Sequence, residues 1–127
     1  MFSDSKSLKN LNDIVHPAVN RAFDKFKNKH QDYNMIIKEA AILIESGSYK
    51  SCDFIILVKA PVGERIKRIV ARDSVNESEV IVRINRQWED KKKEKYADYI
   101  VENTSLAETH RKVKVLIKKL NNKADIY

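Results

Sequence analysis

The chain has 127 residues, 43% of them apolar and 34% charged, which suits one modest hydrophobic core in a highly soluble domain. No apolar run approaches the roughly 20 residues of a membrane span. No secretory signal is visible, and the single cysteine excludes an internal disulfide, so we expect a cytoplasmic protein. The net charge of +7 favours a polyanionic partner: nucleic acid, anionic lipid or a phosphorylated small molecule.

The first thirty residues predict two helices. Apolar residues recur at helical spacing from Leu8 to Val15 and again from Val19 to Phe26. Pro17 lies between the two groups, and proline is tolerated in the first turn of a helix but not in its interior. We therefore expect a helical pair kinked at His16–Pro17.

Three later segments predict β-strands because they are short, rich in β-branched residues and nearly continuous in apolarity. They are DYNMIIKEAAIL (32–43), DFIILVKAP (53–61) and ADYIVEN (97–103). The linker between the first two is too short for an ordinary helical crossover. We therefore do not expect these two strands to be direct neighbours in a parallel sheet.

The segment between the second and third strands predicts two helices. The first has an apolar face made of Ile66, Ile69 and Val70. The second has a capped start at Asn76 and Glu79. Its inward residues are expected to be Ile81, Ile84 and Trp88.

A last helix begins at a capping box formed by Ser105 and Glu108. Its inward residues are expected to be Leu106, Val113, Leu116, Ile117 and Leu120. The element order is therefore α-α-β-β-α-α-β-α, and the fold class is α/β.

Five segments, taken in order, carry a family resemblance: FSDSKSLKNLNDIVHPAV, ESGSYKSCDFIILVKAP, RIKRIVARD, VIVRINRQW and DYIVENTSLAET. They resemble dephospho-CoA kinases, collinearly from Phe2 to about Leu120. The resemblance implies part of a P-loop kinase fold with parallel strands. It also implies transfer of the γ-phosphoryl group of ATP, with Mg²⁺, to the ribose 3′-hydroxyl of dephospho-CoA, the last step of coenzyme A synthesis.

The same resemblance divides the chain into a helical substrate-binding segment (1–31), core strands (32–63), a helical lid (64–97) and a core strand with a C-terminal helix (98–127). Family members open with a strand, a G-x-x-x-x-G-K-[ST] phosphate loop and an aspartate taken as the catalytic base. The 127 residues hold two glycines and no such loop. We therefore expect a truncated kinase that lacks its first strand and catalytic residues, cannot bind ATP and Mg²⁺ in the usual way and is inactive alone.

The resemblance nominates four residues for the ATP side of the site. Arg72 matches the arginine of an RD pair at the lid. Arg83 and Gln87 match R-x-x-x-Q, whose spacing of four would place both on one helix face. Asn103 matches an asparagine near the adenine, at a strand end. The competing interpretation is solvation, or for Arg72 a surface ion pair with Asp73 or a nearby glutamate.

On the substrate side, His16 matches an HP pair of the substrate-binding segment; the alternative is a histidine that caps a helix. The family motif P-L-L-F-E-x-G is matched by Ile42, Leu43 and Glu45. Ile42 and Leu43 would form an apolar wall, and Glu45 would supply a carboxylate. Ala41 stands where proline is usual, which alters the pocket.

Two further residues carry local expectations. Ser74 replaces a glycine common after the RD pair, so the turn there must avoid positive φ or be slightly strained. Cys52 lacks neighbouring ligand residues in the sequence, so no metal site is predicted.

Two other classes of function stay open. One is a small basic nucleic-acid-binding protein that uses the helix from Arg111 to Lys123, although no stacking platform, zinc spacing or recognition helix supports nucleic acid as a partner. The other is a non-catalytic remnant. In the resembled fold the missing strand lies between strands kept here, and exposed edges favour a homo-oligomer.

Overall fold

A computed structural model describes residues 4–122, which fall into two units divided between Ser48 and Tyr49. The first unit consists of one long helix and the segment that follows it. The second unit contains both strands and four helices.

Helix α1 spans Ser5–Lys29 without interruption, so the predicted division into two helices at Pro17 is wrong. Asp4 caps the helix by accepting the Lys6 backbone N–H at 3.1 Å and the Ser7 hydroxyl at 2.6 Å. Pro17 lacks an N–H, so it removes one helical hydrogen bond, but the bonds before and after it continue the helix. A single missing bond in a 25-residue helix does not end it.

The segment after α1 is not a strand, so the predicted strand at 32–43 is wrong. Residues 35–40 have no regular structure, and residues 41–47 form turns in which Gly47 takes a positive φ of 78°. Continuous apolarity predicted a strand here. A strand also needs a neighbour for its backbone hydrogen bonds, and this segment pairs with no strand among residues 4–122.

The second unit is built on two parallel strands, β1 (Ile56–Lys59) and β2 (Tyr99–Glu102). Both were predicted, although each is only four residues long. Asp98 starts the pairing: its carboxylate accepts the Ile55 N–H at 2.7 Å, and its own N–H donates to the Ile55 carbonyl at 2.9 Å. The register then pairs each residue of β1 with its partner in β2, from Ile56 with Tyr99 to Lys59 with Glu102.

The described part of this unit also contains four α-helices, three between β1 and β2 in the chain and one after β2. They are α2 (Val62–Asp73), α3 (Glu77–Asn85), α4 (Asp90–Glu94) and α5 (Leu106–Asn121). The buried apolar side chains of this unit are Ala60, Val80, Val101 and Leu116. The α/β class is confirmed. No helix in the described part of the chain is long and apolar enough to cross a membrane.

The inward faces of α3 and α5 differ in part from the prediction. Val80 is the fully buried residue of α3, whereas Ile81 is exposed, and Trp88 lies beyond the helix, which ends at Asn85. On α5 the prediction holds for Leu116 but not for Leu106, which is 76% exposed, or for Ile117. Helical periodicity identifies the apolar face of a helix, but the neighbouring elements decide which residues of that face are buried.

The two predicted helix starts lie at the expected residues. Ser105 precedes α5, and its hydroxyl accepts the Glu108 N–H at 3.5 Å. Asn76 precedes α3 but makes no capping bond through its side chain.

Ser74 ends α2 in the left-handed conformation, with φ 52° and ψ 41°, so the strained alternative holds. Replacing Ser74 by glycine is expected to stabilise the chain by about 1 kcal/mol, because glycine has no Cβ to clash in this conformation. Urea unfolding followed by circular dichroism measures the change. Ser78→Gly makes the same substitution inside α3 and should instead destabilise by about 0.5 kcal/mol. Two shifts of the same sign would contradict the assignment of strain to Ser74.

Candidate functional site

One face of α2 carries three arginines, spaced so that they lie one above the other. Arg65 donates to the Asp90 carboxylate at 3.3 Å, at the start of α4. Arg68 donates to the carbonyls of Asn103 and Thr104 at 2.7 and 3.3 Å. Arg72 lies one turn further on. The row therefore connects α2 to α4 and to the end of β2.

Two of the predicted site residues, Arg72 and Arg83, contact the carboxylate of Asp73. Arg72 donates to this carboxylate from Nε at 2.7 Å and from Nη2 at 3.2 Å, and Arg83 donates from Nη1 at 3.2 Å. The hydrogen bond from Arg72 is the main reason that the pKa of Asp73 lies below its usual value, and Arg83 adds to the effect. The structure thus brings Arg72 and Arg83 together from two helices. The surface pair with Asp73 is also present.

Gln87 does not share a helix face with Arg83, so that expectation is wrong. Helix α3 ends at Asn85, and the Gln87 N–H closes a tighter turn by donating to the Ile84 carbonyl at 3.0 Å. The Gln87 side-chain oxygen accepts from Lys93 Nζ at 3.4 Å. A spacing of four places residues on one face only while the helix lasts.

Asn103 follows β2 and is held by three groups. Its N–H donates to the Lys59 carbonyl at 2.8 Å, and its side-chain oxygen accepts from the Thr109 hydroxyl at 3.1 Å. Its own carbonyl accepts from Arg68. Asn103 is therefore fixed at the carboxyl end of the parallel pair, the edge where open α/β sheets bind ligands.

A charge cluster that the sequence analysis missed lies at the same edge. Lys59 Nζ contacts the carboxylates of Glu94 at 2.6 Å and Glu102 at 3.3 Å. Hydrogen bonds to Glu94 and then Glu102 raise the pKa of Lys59 above its usual value. The signal in the sequence was a lysine at the end of one strand and a glutamate at the end of the other, Lys59 and Glu102. Using this signal requires the register of the two strands.

The substrate-side residues all lie in the first unit. His16 lies inside α1, so the alternative of a helix-capping histidine is wrong. Ile42, Leu43 and Glu45 lie half-buried in the turns at 41–47. The Ser48 hydroxyl donates to the Asn20 side chain at 3.4 Å, which joins α1 to the end of these turns.

The donor set of the described residues fits phosphate better than a metal ion. Guanidinium groups bind phosphate oxygens through paired N–H donors. No group of three His, Cys, Asp or Glu side chains that could hold a metal ion occurs within residues 4–122.

These features define an α/β protein whose charged residues collect at the carboxyl edge of a parallel pair and along the helix that follows it. The sequence model described as dephospho-CoA kinase matches residues 1–108. The chain belongs to the dephospho-CoA kinase family, which confirms the resemblance stated above.

Relatives extend the same match. The dephospho-CoA kinase of Aquifex aeolicus is 32% identical over 121 residues, covering 94% of this chain and 61% of the relative. That of Zymomonas mobilis is 35% identical, covering 81% and 52%. The crystal structure of TT1252 from Thermus thermophilus matches with a TM-score of 0.81 at 32% identity, covering 94% of this chain and 62% of that one. The chain therefore spans between half and two thirds of each of these proteins.

The Lys59 cluster predicts a pH-dependent coupling. Because the pKa of Lys59 is raised, its stabilising interaction with Glu94 is fully present below the ordinary lysine value of 10.5 and is lost as pH rises through the higher folded-state value. A double-mutant cycle of Lys59→Met and Glu94→Gln, with urea unfolding at about pH 8 and about pH 11.5, measures this coupling. It should be clear at the lower pH and smaller at the higher one.

The matched control is the exposed pair of Lys67 and Glu64, 3.9 Å apart on α2. The cycle of Lys67→Met and Glu64→Gln should show little coupling at either pH. An undiminished Lys59–Glu94 coupling at the higher pH would be inconsistent with the raised pKa as its source.

Proposed function

We propose that this chain is the lid and substrate-binding part of a dephospho-CoA kinase, which transfers the ATP γ-phosphoryl group to the ribose 3′-hydroxyl of dephospho-CoA. The single observation that carries the proposal is the convergence of Arg72 and Arg83 on Asp73. Family membership makes phosphoryl transfer the chemistry to consider, and two guanidinium groups held together suit its phosphates.

In this proposal Arg72 and Arg83 contact the ATP phosphates. Both side chains stay largely exposed, at 73% and 56%, so most of their N–H donors face solvent. Guanidinium groups keep their charge at any working pH, and charge that develops on the transferring phosphoryl oxygens is stabilised by such fixed donors. The two arginines would bind and orient the phosphates.

The other residues take positioning roles. Asn103 is held at the sheet edge by Arg68, Thr109 and the β1 backbone, and in this proposal its side-chain amide would contact the adenine. Gln87 would face the nucleotide from beyond the end of α3.

The substrate contacts lie in the first unit. His16 and Glu45 would contact the polar parts of dephospho-CoA. Ile42 and Leu43 would supply an apolar wall beside its pantetheine arm.

The chemistry also needs groups that residues 1–127 do not contain. Backbone N–H groups and a lysine of a G-x-x-x-x-G-K-[ST] loop hold the β- and γ-phosphates in P-loop enzymes, and its Ser/Thr contacts Mg²⁺. The printed sequence holds no such motif. We therefore infer that residues 1–127 by themselves do not transfer phosphoryl groups, and turnover of ATP with dephospho-CoA in a radiolabel assay would refute this.

Binding maps test the proposal without requiring turnover. Titrating ¹⁵N-labelled chain with ATP should shift the amide signals of residues 72–83 and 103. Dephospho-CoA should also shift those of residues 16 and 42–45. NMR detects such binding even at millimolar affinity. Arg72→Ala should weaken ATP binding roughly tenfold, the size of a lost charge-assisted hydrogen bond.

The control for this experiment is Arg111→Ala on α5, which removes an arginine that is likewise paired with an exposed carboxylate, that of Glu108. It should leave ATP binding nearly unchanged. Equal loss in both variants would mean that ATP responds to net charge alone, and the proposed site would be wrong.

We further propose that the open edge of β1 pairs with a second copy of the chain. The carbonyls of Ile55 and Lys59 accept from the β2 side, so the backbone groups of Ile56 and Val58 point the other way. Within residues 4–122 no other strand covers that edge. Exposed strand edges favour association.

Light scattering at high concentration should therefore show a dimer or a larger assembly. Val58→Lys places a charge beside the open edge and should shift the mass towards the monomer. Val115→Lys makes the same change on exposed α5 and should not. A monomeric unmodified chain would rule the edge pairing out.

Nucleic acid binding is kept as a second candidate on the strength of α5. That helix carries five basic residues and one acidic residue, and several of the basic side chains are exposed. Binding to duplex DNA that falls steeply with salt, and that Arg111→Ala weakens, would favour this candidate over the kinase part.

A further inference from the structure

We propose that Asp73 is a positioning residue that holds Arg72 and Arg83 as one unit and makes that unit selective for a polyphosphate over a single phosphate. The inference rests on the proposed function, because it takes the two arginines as phosphate ligands. Asp73 itself touches no phosphate in this scheme and acts only through the two guanidinium groups.

The location of Asp73 argues that it serves the arginines and not the helix. It is the last residue of α2, where the helix dipole is negative and a carboxylate is unfavourable. Ser74 follows in a strained left-handed conformation. Two unfavourable local features are thus adjacent, and the groups that offset the charge are Arg72 and Arg83.

The contact geometry shows what Asp73 fixes. One carboxylate oxygen accepts from Arg72 Nε, and the other accepts from Arg72 Nη2 and Arg83 Nη1. Arg72 belongs to α2 and Arg83 to α3, so Asp73 sets the separation of two groups carried by different helices. At 28% exposure its side chain is the least exposed of the three.

Two consequences for anion binding follow. The carboxylate offsets one of the two positive charges, so the unit attracts a small isolated anion less than two unpaired arginines would. In return the spacing of the guanidinium groups is fixed before binding. A polyphosphate that contacts both then loses less conformational freedom from the protein.

The test compares wild type with Asp73→Asn, using ATP and inorganic phosphate as separate probes. The variant should bind inorganic phosphate as well as or better than wild type, and ATP more weakly. The ratio of the two affinities should fall roughly fivefold, the effect of losing one ion pair of this size. Asp24→Asn makes the same change on α1, where Asp24 pairs with Lys27, and should leave the ratio unchanged.

A second readout follows Arg72 directly. Its Nε–Hε NMR signal, assigned by substitution, reports the hydrogen bond from Nε to Asp73 without any nucleotide. Asp73→Asn should move the Arg72 signal to the position of a solvated arginine and speed its exchange with water. Asp73→Glu keeps the charge and should restore part of both the signal and the ATP preference.

The outcomes distinguish a failure of the proposed function from a failure of the positioning role of Asp73. If Arg72→Ala leaves ATP binding intact, the proposed function fails. If Arg72→Ala weakens ATP binding while Asp73→Asn changes neither the affinity ratio nor the Arg72 signal, the arginines bind phosphate unaided and the positioning role is overturned. If Asp73→Asn raises the affinity for ATP and for inorganic phosphate equally, Asp73 acts only through its negative charge, and the positioning role is likewise overturned.

Discussion

The second unit depends on the row of arginines along α2. Three side chains of one helix face contact the start of α4, the carbonyls after β2 and, through Asp73, the helix α3. An arginine suits this task because its planar fork can serve two acceptors at once, as Arg68 does with two successive carbonyls. The start of α4, the end of β2 and α3 are therefore all held by the helix that carries Arg72.

This polar framework is needed because the sheet is small. Parallel strands are ordinarily covered on both faces and belong to larger sheets. Here the sheet has two strands among the described residues, and Val58 is 59% exposed. In the first unit, α1 has no buried side chain, and its Ile14 is 72% exposed. The apolar pattern of the sequence thus specifies more contacts than each unit makes by itself. That fits a chain that spans about three fifths of its Aquifex relative.

The same fact sets the limit of prediction from the sequence. Apolar runs and caps located β1, β2 and the start of α5, because local composition decides those features. They failed at 32–43, where a strand needs a partner, and at Pro17, where one missing hydrogen bond did not end α1. The convergence of Arg72 and Arg83 could not be derived from spacing, since it depends on how α2 turns into α3 at Ser74. The Lys59 cluster needed the register of two strands that are forty residues apart in sequence.

The distribution of charge argues against inferring function from the net charge. Several cations at the candidate site have an acidic partner: Lys59 has Glu94, and Arg72 and Arg83 have Asp73. Much of the basic excess instead lies on α5, where five basic residues accompany one acidic residue. A phosphate site needs hydrogen-bond donors at fixed positions more than it needs a large local charge, because a fixed donor does not have to reorganise on binding. The paired arginines Arg72 and Arg83, on α2 and α3, meet that requirement better than the unbalanced helix α5 does.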